Sequence, residues 1–244
     1  MLRDILKIII MGFEHSGTTV LLDSLKLSRG LDAGKDKGEC GILIPEEGIT
    51  GFLDFQPYTK RFIDFWGINK NILKDIIENS GTYEEFYKNL VIHSPVILDK
   101  KVGIIDKTPG YIYYLPQMIL KTEDVPLIIM RKDPKNWASS MMLRGWSYDK
   151  CLKWMRIYYY QYNNLIDKEP EKIKLVNYEN FIETPLDTIK SICKWADLSY
   201  LEEDYHNFID SVIDCGDRKN FYKKTLSPLQ IAEINKDLAD FIIV

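Results

Sequence analysis

Short runs of aliphatic and β-branched residues alternate along this chain with stretches whose apolar positions recur at helical spacing. Lys7–Met11 is the first such run and stops at Gly12. Unbroken apolarity marks a strand covered on both faces. Val102–Asp106, Pro126–Met130 and Ile173–Asn177 read the same way. Helices are predicted over Thr18–Leu27, Asn69–Asn79 and Thr82–Ile92, the last opened by a Thr82-x-x-Glu85 capping box. Tyr111–Leu120 reads as helical despite Pro116, and Pro134–Met142 carries its proline where a first helical turn tolerates one. Tyr148–Ile166 is a long aromatic-rich helix, and Pro185–Ala196 and Pro228–Leu238 follow. This alternation predicts an α/β fold with a parallel sheet covered by helices on both faces. Ligands of such sheets gather at the carboxyl ends of the strands.

One stretch breaks the pattern. Residues 28–57 hold six glycines and two prolines with little periodicity, a loop of a length at which loops tend to be functional. The 244 residues are read as one domain, 1–244, with this segment lying near a functional site. Hydrophobic residues make up 45% and charged residues 28%, the balance of a folded globular chain. Lys and Arg total 32 against 36 Asp and Glu, a net charge of −4, so no basic excess points to nucleic acid. An anion bound here is expected to be small and met by a local cluster of cations. No apolar run approaches the ~20 residues that span a bilayer, so no membrane partner is expected. Lys7 interrupts the opening apolar stretch, which reads as a buried strand rather than a signal sequence. Cys40, Cys151, Cys193 and Cys215 form no CxxC pair, and reduced thiols in a cytoplasmic protein, without a bound metal, are the expectation.

Gly12-Phe-Glu-His-Ser-Gly-Thr18-Thr19 follows a strand and opens a helix. It matches the phosphate-loop pattern GxxxxGK[ST] at both glycines and at Thr19, while Thr18 replaces the lysine. The glycines let backbone wrap an anion, and the helix N-terminus offers unpaired N–H groups. The missing lysine speaks against hydrolysis of a nucleoside triphosphate. A second polar turn, Arg131-Lys132-Asp133-Pro134, leaves a strand and enters a helix bearing Ser139 and Ser140, a combination of charge and hydroxyl donors that suits a phosphate. A third, Asp106-Lys107-Thr108-Pro109, ends another strand.

GFEHSGTTVLLDSL resembles the 5′-phosphosulfate loop of sulfotransferases that use 3′-phosphoadenosine 5′-phosphosulfate (PAPS). The resemblance implies a P-loop-type sheet, with Ser16, Gly17, Thr18 and Thr19 holding the 5′-phosphate. His15 stands where the family usually has a lysine or arginine assisting the leaving group. The second turn is similar to the family's 3′-phosphate motif, an Arg-x-Pro followed six residues later by a serine. Counted from Pro134, the serine is Ser140 and the cation is Lys132, with Arg131 one residue earlier competing for that role. Lys107 matches a lysine near the transferred group, but Pro109 occupies the place of a catalytic histidine found in cytosolic members. The base must then come from elsewhere: Glu39, which loosely matches a catalytic glutamate of tyrosyl-protein members, or Glu46, Glu47 or His93. Val176–Phe181 resembles a mostly structural strand end, and Arg218 and Lys219 lie in a stretch similar to a late nucleotide-binding segment. The implied activity is transfer of a sulfuryl group from PAPS to a small-molecule or glycan hydroxyl. A P-loop small-molecule kinase and a non-catalytic nucleotide-binding protein on the same fold are the rival readings.

Overall fold

The computed structural model describes residues 1–122, 124–166, 169, 171–205, 208 and 221–241. Five strands form one sheet: β1 (Leu6–Gly12), β2 (Leu31–Asp32), β3 (Gly103–Lys107), β4 (Leu127–Arg131) and β5 (Ile173–Asn177). Their order across the sheet is β2-β3-β1-β4-β5, and every pairing is parallel. The four strands expected from apolar runs are present. The fifth, β2, is two residues long and lies inside the irregular segment, too short to leave a pattern of its own.

Side chains alternate across the sheet, and both sides are dry. Leu6, Ile9, Met11, Ile104, Leu127 and Ile129 enter one core cluster. Ile8, Ile10, Ile105, Ile128 and Met130 enter the other. This is why the strands read as continuously apolar. A short helix, α1 (Leu2–Ile5), leads into β1, and α2 (Thr18–Leu25) covers the second face. The first face is covered by α3 (Tyr58–Trp66), α4 (Lys70–Glu78), α5 (Tyr83–His93), α6 (Leu115–Lys121), α7 (Pro134–Met142) and α8 (Tyr148–Ile166). Then α9 (Tyr178–Glu183) and α10 (Pro185–Ala196) return to the second face, and α11 (Pro228–Asp237) packs on the first. The Thr82 capping box forms as expected: Thr82 Oγ1 accepts from Glu85 N at 3.2 Å, and Glu85 Oε2 accepts from Thr82 N at 3.0 Å. The short helices α1 and α9 were not expected, and the helices differ in two further places. Residues 109–114 form a 3-10 turn before α6, so that Pro116 falls in a first helical turn rather than a helix interior. Helix α3 was not expected, since it emerges directly from the irregular segment after Pro57.

The chain leaves β1 toward β2 and β3 on one side and later places β4 and β5 on the other. That change of direction opens a crevice at the carboxyl ends of β1, β3 and β4. No described helix is long and apolar enough to cross a membrane.

Candidate active site

The first loop is shaped by two close approaches. Gly12 has φ 155°, and a Cβ there would sit 2.3 Å from the Met130 carbonyl oxygen, so β1 can end against β4 only as glycine. Gly17 has φ 90°, and its Cβ would lie 2.4 Å from the Tyr178 ring. Between them Ser16 N donates to the Phe13 carbonyl at 3.1 Å, and Trp137 Nε1 donates to the Glu14 carbonyl at 2.9 Å. Gly17 is the N-cap of α2 and has no side chain with which to fill the first-turn amides, so they remain available to an anion. Ser16 is fully buried, and its Oγ has no hydrogen-bond partner. His15, at φ 63°, lines the cleft, where its imidazole is partly desolvated. Its pKa lies below the ordinary 6.5, first through burial and then through the charges of Arg144, Lys37 and Lys132.

The exit of β4 separates the two competing cations. Arg131 Nε donates to Asn177 Oδ1 at 2.9 Å, along the paired edge of β5. Lys132 is 7% exposed; its Nζ donates to Ser140 Oγ at 3.0 Å and lies over the Tyr178 ring, 5.0 Å from its centroid. Ser140 Oγ in turn donates to the Asn136 carbonyl at 2.8 Å. Ser139, one residue earlier and about 100° around the helix, instead bonds Thr225 Oγ1. Asp133 caps α7 by accepting from Lys135 N at 2.9 Å. Glu179 secures this turn, accepting from Asp133 N at 3.1 Å and from Asn136 Nδ2 at 3.0 Å; burial raises its pKa.

At the end of β3, Lys107 is 1% exposed. Its Nζ lies 3.3 Å from Glu39 Oε1, and the other oxygen of Glu39 lies 3.3 Å from Arg61 Nη1. Burial lowers the Lys107 pKa, an effect that Glu39 opposes. Beneath it, Asp106 is a buried hub. Its Oδ2 accepts from the hydroxyls of Tyr87 at 2.6 Å and Tyr111 at 2.7 Å, and its Oδ1 accepts from Thr108 Oγ1 at 2.8 Å and Cys40 N at 3.4 Å. Thr108 Oγ1 also accepts from the amides of Cys40 and Gly41, both at 3.1 Å. The irregular segment is thereby fastened to β3, and Glu39 is set beside Lys107.

These parts meet in one cavity of about 700 Å³. His15, Gly17, Thr18 and Thr19 line it together with Lys132, Ser140, Lys107 and Glu39. Arg131, Ser139 and buried Ser16 are not on its lining, and Arg218 and Lys219 lie outside the described residues. Among the other expected bases, Glu46 and Glu47 are exposed, and His93 Nδ1 bonds the Asn89 carbonyl at 2.8 Å in the last turn of α5; none of the three lines the cavity. Lys37, Arg61, Arg144 and Tyr58 do line it and were not singled out by the sequence. Arg144 was within reach of periodicity, since it follows Ser140 by one helical turn and its Nη1 donates to the Ser140 carbonyl at 2.6 Å. Tyr58 fits where Gly41 and Gly110 leave room: a Cβ at Gly110 would sit 2.2 Å from its hydroxyl. Among the described residues on the lining, Lys37, Arg61, Lys107, Lys132 and Arg144 outnumber the carboxylates Glu14 and Glu39, which makes the cleft cationic within an acidic chain.

No curated protein sequence matches this chain. Several solved structures share its fold. The sulfotransferase domain from the Synechococcus PCC 7002 olefin synthase is similar at a TM-score of 0.65 and 16% identity, covering 95% of this chain and 94% of that one. Sulfotransferase STF9 from Mycobacterium avium is similar at a TM-score of 0.58 and 12% identity, covering 99% and 76%. Mouse sulfotransferase SULT7A1, solved with PAP, is similar at 0.51 and 10% identity, covering 98% and 84%. At such identities the likeness is one of fold, but a sulfotransferase family model also matches residues 44–203, about two thirds of the sequence. A phosphate-type loop, a cationic crevice at the carboxyl ends of β1, β3 and β4, and that match together lead to one conclusion: the chain belongs to the sulfotransferase family.

Proposed function

We propose that the cleft binds PAPS and transfers its sulfuryl group to a hydroxyl of a small molecule or glycan. The observation that carries this reading is the convergence of two anion-suited turns, with His15, Gly17, Thr18 and Thr19 from one and Lys132 and Ser140 from the other, on one cationic cavity that Lys107 at the end of β3 also lines. The glycine-lined loop and the uncapped first turn of α2 fit an anionic group. Ser16, Gly17, Thr18 and Thr19 are assigned to the 5′-phosphate, through the first-turn amides of α2. Lys132 and Ser140, with Arg144 one turn further on, are assigned to the 3′-phosphate.

PAPS is consumed as a substrate, and the chemistry it supplies is in-line transfer. The bond between sulfur and the 5′-phosphate oxygen breaks, its electron pair stays on the phosphate, and a bond forms from the acceptor oxygen to sulfur. Lys107 and His15 are the residues assigned to offset the developing charge, a role in which one preorganised donor is worth about 10²–10³ in rate. Glu39 accepts the acceptor's proton; its carboxylate is oriented in the cleft by Lys107 and Arg61. Titration calorimetry tests the assignment of the donor. We expect 3′,5′-adenosine diphosphate to bind at least about tenfold more tightly than 5′-AMP, the worth of one charge-assisted contact. Equal affinities would refute it.

A further inference from the structure

The family's usual lysine or arginine in the first loop is absent here, and His15 occupies its place. In the ligand-free protein the His15 imidazole is pushed toward its neutral form, and the Lys107 ammonium is engaged by Glu39 at 3.3 Å. A fixed charge for the leaving phosphate is therefore wanted from another element. The turn that follows β2 carries one. Lys37 is exposed, lines the cleft, and makes no ion pair among the described residues.

This turn is held from four sides. Gly34 N donates to Asp32 Oδ1 at 2.8 Å, Lys26 Nζ from beyond the end of α2 donates to the Gly34 carbonyl at 3.0 Å, and Lys35 N donates to the Phe65 carbonyl of α3 at 2.7 Å. It closes with Gly38 N donating to the Lys35 carbonyl at 3.1 Å, and Lys107 N donates to the Gly38 carbonyl at 3.4 Å. Gly38 has φ 58°, and a Cβ there would lie 2.4 Å from the Ala33 carbonyl oxygen, so glycine is required for closure. Lys37 thus stands on an anchored turn immediately beside the backbone of Lys107. Lys37 lines the same cleft as His15 and Lys107, and its charge lowers the pKa of each.

We propose that Lys37 is the fixed cation for the 5′-phosphate end of the donor, taking the place of the missing first-loop lysine. When the sulfur–oxygen bond breaks, the electron pair left on the 5′-phosphate raises its negative charge, and Lys37 meets that charge from the lining of the cleft. The proposal rests on the PAPS reading given above and adds to it a residue from outside the family's motif.

Titration with two defined nucleotides separates the possibilities. Lys37→Met should weaken 3′,5′-adenosine diphosphate about fivefold to tenfold, the scale of a partly solvated charge-assisted contact. Adenosine 3′-phosphate, which lacks the 5′ group, should bind both proteins alike, and Lys37→Arg should restore most of the loss. An unchanged affinity for the bisphosphate, or an equal loss for both nucleotides, overturns the role of Lys37. Failure of the wild-type protein to prefer the bisphosphate over 5′-AMP overturns the donor assignment instead, so the two failures are distinguishable.

Discussion

Replacing Asp106 with alanine removes the hub that joins the irregular segment to the sheet. Four donors converge on its two oxygens, and Tyr87, Tyr111 and Thr108 are each 0% exposed, so their freed groups have no water to turn to. Each of the two tyrosine hydroxyls left unsatisfied costs about 1–3 kcal/mol. Part of this is returned because a desolvated carboxyl disappears, as its raised pKa attests. A net loss of about 3 kcal/mol is expected, or roughly 6–12 °C in Tm for a domain of this size. Urea unfolding followed by tryptophan fluorescence measures it. Tyr87→Phe alone should cost about 1 kcal/mol, yet cost less or even stabilise in the Asp106→Ala background, where the hydroxyl is already orphaned. The pH dependence provides a second reading. Burial outweighs the hydrogen bonds and lifts the Asp106 pKa above its ordinary 3.8, so the native state binds more protons than the unfolded chain between that value and the raised one. The group's contribution is full below 3.8, declines as pH rises through the window, and is level above it; Asp106→Asn should abolish that decline. A loss under about 1 kcal/mol for Asp106→Ala, or strict additivity with Tyr87→Phe, would refute the hub.

His15 should titrate below 6.5 in the free protein and shift upward when 3′,5′-adenosine diphosphate binds, since the anion reverses the field of Arg144, Lys37 and Lys132. NMR titration checks this, with His15→Asn assigning the signal among the three histidines, and a pKa unmoved by ligand would contradict it. In the free protein the same depression withholds a proton that the unfolded chain takes up, so His15 contributes stability above 6.5 that is lost as pH falls from 6.5 through its folded value. Gly17→Ala should cost about 2–4 kcal/mol, from the left-handed backbone and from a Cβ 2.4 Å from the Tyr178 ring. It should also weaken bisphosphate binding more than tenfold by calorimetry; a variant that keeps both stability and affinity would show that the loop tolerates side chains.

The strands were legible because burial on both faces leaves no polar interruption, and Ile8–Ile10 report it directly. The first loop was legible because the Met130 carbonyl and the Tyr178 ring leave room only for glycine at positions 12 and 17. Between Arg131 and Lys132 the sequence left a choice; in the fold Asn177 on the adjoining strand engages Arg131, while Lys132 turns toward Ser140 and the cleft. Helix α3 carried a signal in Thr59, Phe62 and Trp66, three buried positions at helical spacing, that its glycine-rich approach obscured. Lys37 carried none. An exposed lysine between an aspartate and a glycine reads as solvated surface, and only the folding of its turn against Lys107 gives it a place in the cleft.

The ring of Tyr178 fills the space that Gly17 leaves vacant, and the ammonium of Lys132 rests over the same ring. A rigid planar body therefore sets the gap between the two turns, where solvent or a pliant side chain would let it drift. If the cleft takes the doubly phosphorylated donor proposed above, that spacing selects for the span between its two phosphates. Altering the bulk of that one aromatic should then retune which span is admitted while leaving the Lys107–Glu39 pair in place.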